Sequence, residues 1–552
     1  MKKQRRRIYA ALLCSSMVLS LVSMPVSAAE TGQLTNPPTS TEGPGSPESA
    51  SGNEAAAVLN GLYAALPVAN GVKEVATADE LTDALADSSI SIITLKDDVE
   101  ISSTLTVNRT VTLDLNGNVL KMTGSDSVIK VEADGDLTIQ DRNTTTQHTF
   151  NPHCKYQFWY IDMWELDKDG SEIVSGGVIT GGGGDQNNGG GVLVAGGTLT
   201  MAGGSIVGCS ARSRGGGVYL GKDSDTGKSG TFIMTSGSII GCAAQLGGGV
   251  YVTSGCTFVM ATSSNIHNCI ANNDGGGVIN HGTFQMRGGT ISTCTTVAFG
   301  GGGVCNNGTF IMSDGMIKGC TSPDGQYASG GGVRNSNQFT MTGGMIGDPD
   351  NENDASHVYN TSSQETTLTI SGNAKIYTDI TNVGILNADG GEIAGTMTND
   401  TNRYGTGTIT GSEGAAGSTE FQDKVTNNGT IRKGTFTNEV INESSGAING
   451  GTFTGTVENK DGTISGGDFS KATLNGMLVI TFDPDNEDQS ITQKVNWSKD
   501  GATLTAPDPV PTKEGHGIEG WYYDNNGTET KWNFDTDTVK CTMTLKAKWE
   551  LS

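Results

Sequence analysis

Between residues 189 and 348 the chain repeats one hydrophobic phrase six times: Gly-Gly-Gly-Val, then an apolar pair ending in Met, then a lone Ile. The valines are Val192, Val218, Val250, Val278, Val304 and Val333, spaced by 26, 32, 28, 26 and 29 residues. Periods of this size belong to stacked supersecondary units, each too small to bury its apolar face alone. Inside a unit the apolar residues recur at i and i+2, the period of a strand with one buried face. Val192/Val194, Val218/Leu220 and Val250/Val252 define a first strand. A second carries Leu199/Met201, Phe232/Met234, Phe258/Met260, Phe284/Met286, Phe310/Met312 and Phe339/Met341. Ile206, Ile239, Ile266, Ile291, Ile317 and Ile346 mark a third. Three strands per turn, each with one face inward, predict a three-sided coil whose rungs pair in parallel ~4.8 Å apart. The glycines fall at its corners, where positive φ or close backbone approach excludes a Cβ.

Two polar columns run through the same pattern. The second inward position of the first strand becomes Asn280, Asn306 and Asn335, which reads as a ladder of stacked amides. Cys209, Cys242, Cys269, Cys294 and Cys320 follow the Ile by three residues. Neighbouring Cα atoms would lie near the lower end of the ~4.4–6.8 Å disulfide range, but five in a row cannot all pair. Buried, mostly reduced thiols are expected, and the short paired spacings of zinc ligands are missing.

Ahead of these repeats, Thr77-Ala78-Asp79-Glu80 is a capping box before Leu81, Ala84 and Leu85 at helical spacing, so a short helix should cover the open end of the coil. Alternating segments from Ile92 to Ile139 read as the first rungs. Beyond Leu368 the phrase shortens: Phe436, Phe453 and Phe469 recur at 17 and 16 residues, as narrower rungs of the same coil or as a looser β-solenoid. Residues 348–354 are the natural join.

Composition narrows the setting. Gly supplies 81 of 552 residues, and 34 basic residues face 59 acidic ones, a net charge of -25. That balance argues against nucleic acid and anionic lipid as partners. Lys2, Lys3 and Arg5 to Arg7 precede an apolar stretch and the small-residue site Val26-Ser27-Ala28, the pattern of a secretory signal peptide over 1–29. Cys14 follows Leu13 in mid-stretch, so lipidation is not expected. No second hydrophobic span is evident, so no membrane insertion is expected after signal removal. Residues 30–72, with Pro37, Pro38, Pro44 and Pro47, read as a flexible linker.

The Gly-Gly-Gly-Val, Gly-Thr-Phe-x-Met and Gly-x-Ile-x-Gly phrases, led by Val174-Ser175-Gly176-Gly177-Val178-Ile179-Thr180-Gly181, resemble secreted right-handed parallel β-helix proteins of the pectate-lyase-like fold. Relatives usually carry Asn where this chain has its Cys column. Val479-Ile480-Thr481-Phe482-Asp483-Pro484, Pro511-Thr512-Lys513-Glu514-Gly515, Gly520-Trp521-Tyr522, Trp532-Asn533-Phe534 and Leu545-Lys546-Ala547-Lys548-Trp549 resemble the internalin B-repeat, or Listeria–Bacteroides repeat. Together these imply an all-β chain: a right-handed parallel β-helix solenoid with a short N-terminal capping helix, plus a small β-rich, ubiquitin-like module. The expected divisions are β-helix with cap and aromatic insertion over 73–348, shorter-rung solenoid over 349–475, and B-repeat module over 476–552.

Chemistry is sparse. Glycoside hydrolysis wants two carboxyls ~5–9.5 Å apart. The position four before each repeat Val reads Asn188, Arg214, Leu246, Asp274, Gly300 and Ser329; the position after it reads Leu193, Tyr219, Tyr251, Ile279, Cys305 and Arg334. Neither column is an acidic stack, and no catalytic residue, cofactor or metal is expected. Residues 348–354 lack the Gly and distal Glu of an EF-hand loop, so a solvated turn is expected there. The ligand-binding candidates lie in the insertion 150–164: Tyr156, Phe158, Trp159, Tyr160 and Trp164, whose rings could stack on sugar or anchor a protein. The alternative is a flap packed on the early rungs. The resulting expectation is a secreted or cell-envelope adhesion or display protein, on the extracellular side, binding a surface glycan, a protein or cell wall. The rival is a polysaccharide-active lyase or glycoside hydrolase on the same coil.

Overall fold

Stacking at a fixed register is what a repeated i, i+2 pattern demands, and the computed structural model shows it. It describes residues 71–552 apart from 156–161, 184–187, 299, 324–329, 352–353, 363–365, 403–404, 487 and 526. The expected signal peptide, nearly all of the linker, and Tyr156, Phe158, Trp159 and Tyr160 lie outside the described residues.

The first wall of the β-helix runs as one parallel ladder through Val192, Val218, Val250, Val278, Val304, Val333, Val358, Ile380, Met397, Val425, Val440 and Val457. These side chains are buried. Pairing of Val333 with Val358 and of Val358 with Ile380 carries the wall past residues 348–354 without a break. The longer and shorter rungs therefore share one column.

The other two walls differ from the expectation of separate strands. In the rungs Thr198–Val207, Thr231–Ile240, Thr257–His267, Thr283–Ser292 and Thr309–Lys318 they form a single strand, bent by a register shift in mid-course. Glycine makes that bend in four of these five strands, as at Gly237 with φ 91, while Thr257–His267 has Ser264 in the matching place. A fourth, short ladder, Ser210–Arg214, Ala243–Leu246, Ile270–Asp274 and Thr295–Thr296, lies between the Cys corner and the next glycine turn.

Inside, like side chains pile on like. Phe232, Phe258, Phe284 and Phe310 stack at 4.8 Å between centroids with ring planes within 7°. A second stack, Phe421, Phe436, Phe453 and Phe469, stands on a different wall, because Phe421 registers with Ile393 and so continues the Ile column. Cys209, Cys242, Cys269, Cys294 and Cys320 are free and buried. Burial pushes the Cys269 and Cys294 thiols up, which keeps them protonated.

The amide ladder is longer than the three residues its sequence signal suggested. Nδ2 of Asn280, Asn306, Asn335 and Asn360 each donates to Oδ1 of the next Asn at 2.8 Å. The chain of bonds continues through Asn382, Asn399, Asn427 and Asn442 to Asn459 at 2.7–2.9 Å. A buried amide costs stability unless bonded, and here each donor also reaches a backbone carbonyl, as Asn360 does to Ile385 O at 3.0 Å.

The helix Ala78–Ala86 covers the N-terminal end, with Leu81 and Ala84 buried. Its capping box closes as Glu80 N donates to Thr77 Oγ1 and Ala76 N donates to Glu80 Oε2. Arg109 satisfies its C-terminal carbonyls, donating to Ala84 O and Leu85 O at 2.9 Å. At the other end, Thr473–Asp483 is both the last strand of the first wall and a central strand of the C-terminal module. There it pairs antiparallel with Ile491–Asn496 and parallel with Met543–Leu551, which in turn pairs with His516–Asn525. Phe482 and Trp521 form the module core, edge to face at 5.0 Å.

Candidate functional site

The Gly-Gly-Gly turn decides which side chains meet on the outer face of the first wall. Gly215 and Gly275 have φ +66 and +67; a Cβ on Gly215 would sit 2.9 Å from Tyr219 Cα, and one on Gly275 would sit 2.7 Å from Ile279 Cβ. So tight a turn folds the residue before the glycines over the residue after the Val. The two columns that sequence reading weighed separately are therefore one surface.

On that surface Tyr219 and Tyr251 stack at 5.5 Å, and Tyr251 meets the His281 ring at 5.5 Å. The Arg214 guanidinium lies 5.4 Å over the Tyr251 ring, a cation–π contact. Two rungs on, the Cys305 thiol points at Asp274 Oδ1, 3.8 Å away. Arg334 follows, its Nη1 donating to Ser336 Oγ at 2.9 Å. Tyr251, Ile279 and Cys305 form a small buried cluster with Tyr219 and Leu246 against it.

Partial burial sets the electrostatics. It raises the Asp274 carboxyl above its ordinary range, against the pull of Arg334. It lowers His281, with Arg214 adding to the effect, and it raises Tyr251. Burial, then the neighbouring Asp274, pushes the Cys305 thiol up to about 11. That thiol is no nucleophile at neutral pH, since reactivity follows the thiolate. Asn188 Oδ1, at the register position of Arg214 one rung earlier, is buried with no hydrogen-bond partner among the described residues. Tyr251 is itself buried, so the arrangement presents outward the half-buried Tyr219 ring beside the exposed Arg214, a pair suited to holding a ring or an anionic group.

The aromatic insertion is a three-stranded antiparallel flap built from Gln147–Lys155, Asp162–Leu166 and Glu172–Ser175. Of the ligand candidates, Trp164 is described, and it is buried with Phe150 against Val119, Val178, Val207 and Ile240. Trp164 N donates to Gly241 O at 3.1 Å. A Cβ on Gly241, at φ +57, would lie 2.1 Å from Trp164 Cγ. The column beneath reads Val207, Ile240, His267, Ser292 and Lys318, turning polar where the flap ends at the Trp164–His267 contact.

The acidic turn spends its carboxylates on the fold. Asp348 pairs with Lys318 at 3.1 Å, and Asp354 accepts from Gly319 N and Ser356 N. Among the described residues no group of three or more His, Cys, Asp or Glu is placed to hold a metal. No helix among them is long and apolar enough to cross a membrane.

Comparison with known proteins places two stretches. Residues 72–181 match the family described as "Putative pectate lyase-like adhesive domain". Residues 479–548 match the Listeria-Bacteroides repeat domain. The first rungs of the coil are thus similar to a pectate-lyase-like adhesive domain, and the last unit to a Listeria–Bacteroides repeat. A "Putative Gly-rich membrane protein" of Evansella cellulosilytica is 54% identical over 52 residues, 9% of this chain and 6% of that protein. A "Putative membrane protein" of the same organism is 48% identical over 52 residues, 9% of this chain and 8% of that protein. Among solved structures, "L. reuteri 53608 SRRP" aligns over 73% of this chain and 98% of that one at 13% identity, with a TM-score of 0.16, too loose to carry an inference.

Proposed function

We propose that this protein is displayed at the extracellular side of the cell envelope and adheres by laying a surface glycan or an extended protein segment along the outer face of the first wall. The observation that carries this reading is the Tyr219–Tyr251 stack with Arg214 over its second ring. Fixed rungs present these groups at intervals of ~4.8 Å, so an extended ligand meets a rigid row and little ordering entropy is lost on the protein side. Tyr156, Phe158, Trp159 and Tyr160 form a second contact region in this proposal, with Trp164 fastening the flap to the coil. Binding without turnover fits the chemistry: the cluster offers the Asp274 carboxyl beside a protonated thiol rather than a carboxylate pair across a gap.

The test is a glycan and protein array probed with the chain from residue 30 onward, run beside an assay for unsaturated or reducing sugar ends. Retention without sugar release, lost in Tyr219→Ala and Arg214→Ala, is the expected result. Sugar release would assign the coil to a polysaccharide-active enzyme instead. Retention unchanged in both variants would move the ligand off this face.

A further inference from the structure

A parallel coil has a problem at its last rung. Every ladder that stabilises the interior ends in an unpaired group, and every one is a template for a second copy. Here the ladders that reach the last rung, the second Phe stack, the amides and the Ile464 strand, meet the C-terminal module, each through a different group.

The aromatic stack is the plainest case. Phe421, Phe436, Phe453 and Phe469 lie face to face, and then Trp497 meets Phe469 at 5.0 Å with the planes 81° apart. An edge offers no face for a further ring. Trp497 is itself fixed, its N donating to Gly476 O at 3.0 Å and its Nε1 to Lys540 O at 3.1 Å. The amide ladder ends when Asn459 Nδ2, instead of finding another Asn, donates to Met477 O at 2.6 Å and Gly462 O at 3.0 Å. The backbone edge of the final strand Thr463–Asp468 is met at Ile464 by one residue of the module: Thr542 N donates to Ile464 O at 2.8 Å, and Ile464 N donates to Thr542 Oγ1 at 3.1 Å. An ion pair, Lys494–Asp461 at 2.6 Å, spans the same junction. The buried core runs through it unbroken, from Ile464 to Leu478, Val495 and Trp497.

We infer that the Listeria–Bacteroides repeat in this chain works as the coil's terminal cap, sealing the last rung against end-to-end joining with a second copy. It is not a separate bead on a tether, because Thr473–Asp483 belongs to both bodies. The inference is independent of what the outer face binds.

Two full-length variants test it. Trp497→Ala removes the edge-on ring, and Thr542→Pro removes both bonds to Ile464. Each is read by amide hydrogen exchange over residues 447–468 and by light scattering across a concentration series. The expected result is exchange faster by more than about a hundredfold in Trp497→Ala, the scale for losing one packed aromatic ring, with concentration-dependent self-association in both variants. A variant that stays monomeric with residues 447–468 still protected overturns the inference, whether or not the module itself remains folded.

Discussion

The amide ladder makes a quantitative prediction at Asn360. Replacing it with Leu keeps the side-chain size but deletes three bonds: from Asn335 Nδ2 at 2.8 Å, to Asn382 Oδ1 at 2.8 Å and to Ile385 O at 3.0 Å. Asn335 Nδ2 keeps Thr367 O at 2.9 Å, so its donor stays satisfied. Asn382 Oδ1 is left buried without its donor, which alone costs about 1–3 kcal/mol, and net bond losses of ~0.5–1.5 kcal/mol each are offset in part by the apolar side chain. The expected local destabilisation is about 2–3 kcal/mol. In a solenoid this is read by native-state hydrogen exchange of residues 333–382 rather than by one global melt, and protection should fall by about 30–150-fold. The decisive arm is the double variant Asn360→Leu/Asn382→Leu. It orphans one acceptor, Asn399 Oδ1, as each single change does, so its cost should fall short of the summed singles by about 1–3 kcal/mol. Strict additivity, or a single-variant loss below about 0.5 kcal/mol, would refute the ladder as a coupled, stabilising unit.

Further outcomes follow from other sites. Gly241→Val should evict the flap, since any Cβ there collides with the Trp164 ring; proteolysis at 156–161 should quicken while circular dichroism of the coil is unchanged. Burial lowers His267 and His281 in the fold, so below pH ~6.5 the unfolded chain binds more protons and stability falls as pH falls. Tm measured against pH should show that acid loss shrinking in His281→Gln. Asp274 has the opposite sign: its raised carboxyl costs stability as pH rises through its folded value, so Asp274→Asn should raise Tm at neutral pH and have no such effect near pH 3. A Tm lowered at neutral pH would contradict that assignment.

The walls were legible because Val, Phe, Met and Ile recur at strand period with glycines between them. What escaped notice was subtler. Asn360, Asn382, Asn399, Asn427, Asn442 and Asn459 continue the ladder, and each stands two residues after an apolar inward residue, as in Val358-Tyr359-Asn360 and Val425-Thr426-Asn427. The Gly triplet that flagged the earlier rungs is missing there, and the Val-x-Asn signal is short. Phe436 and Phe453 share the residue type of the first Phe stack, yet register puts them on the Ile wall. Spacing along a chain does not report which wall a residue occupies once the rung length changes. The outer-face cluster was readable as two columns of unremarkable residues; only the left-handed glycines between them bring Arg214 over Tyr251 and Asp274 to Cys305. The flap's docking face was readable in the aromatic count of the insertion, but the glycines that receive it, Gly208 and Gly241, gave no sign of that role.

A distance measurement between spin labels on Thr106 and Thr381 tests the continuous column most directly. Both stand at the same register position of the first wall, nine rungs apart through Lys130, Leu193, Tyr219, Tyr251, Ile279, Cys305, Arg334 and Tyr359. At ~4.8 Å per rung an unbroken stack sets them about 43 Å apart, in one narrow distribution. A broad distribution, or a separation displaced by more than the reach of the labels, would mean that the coil breaks near residues 348–354 and that the long and short rungs do not share one column.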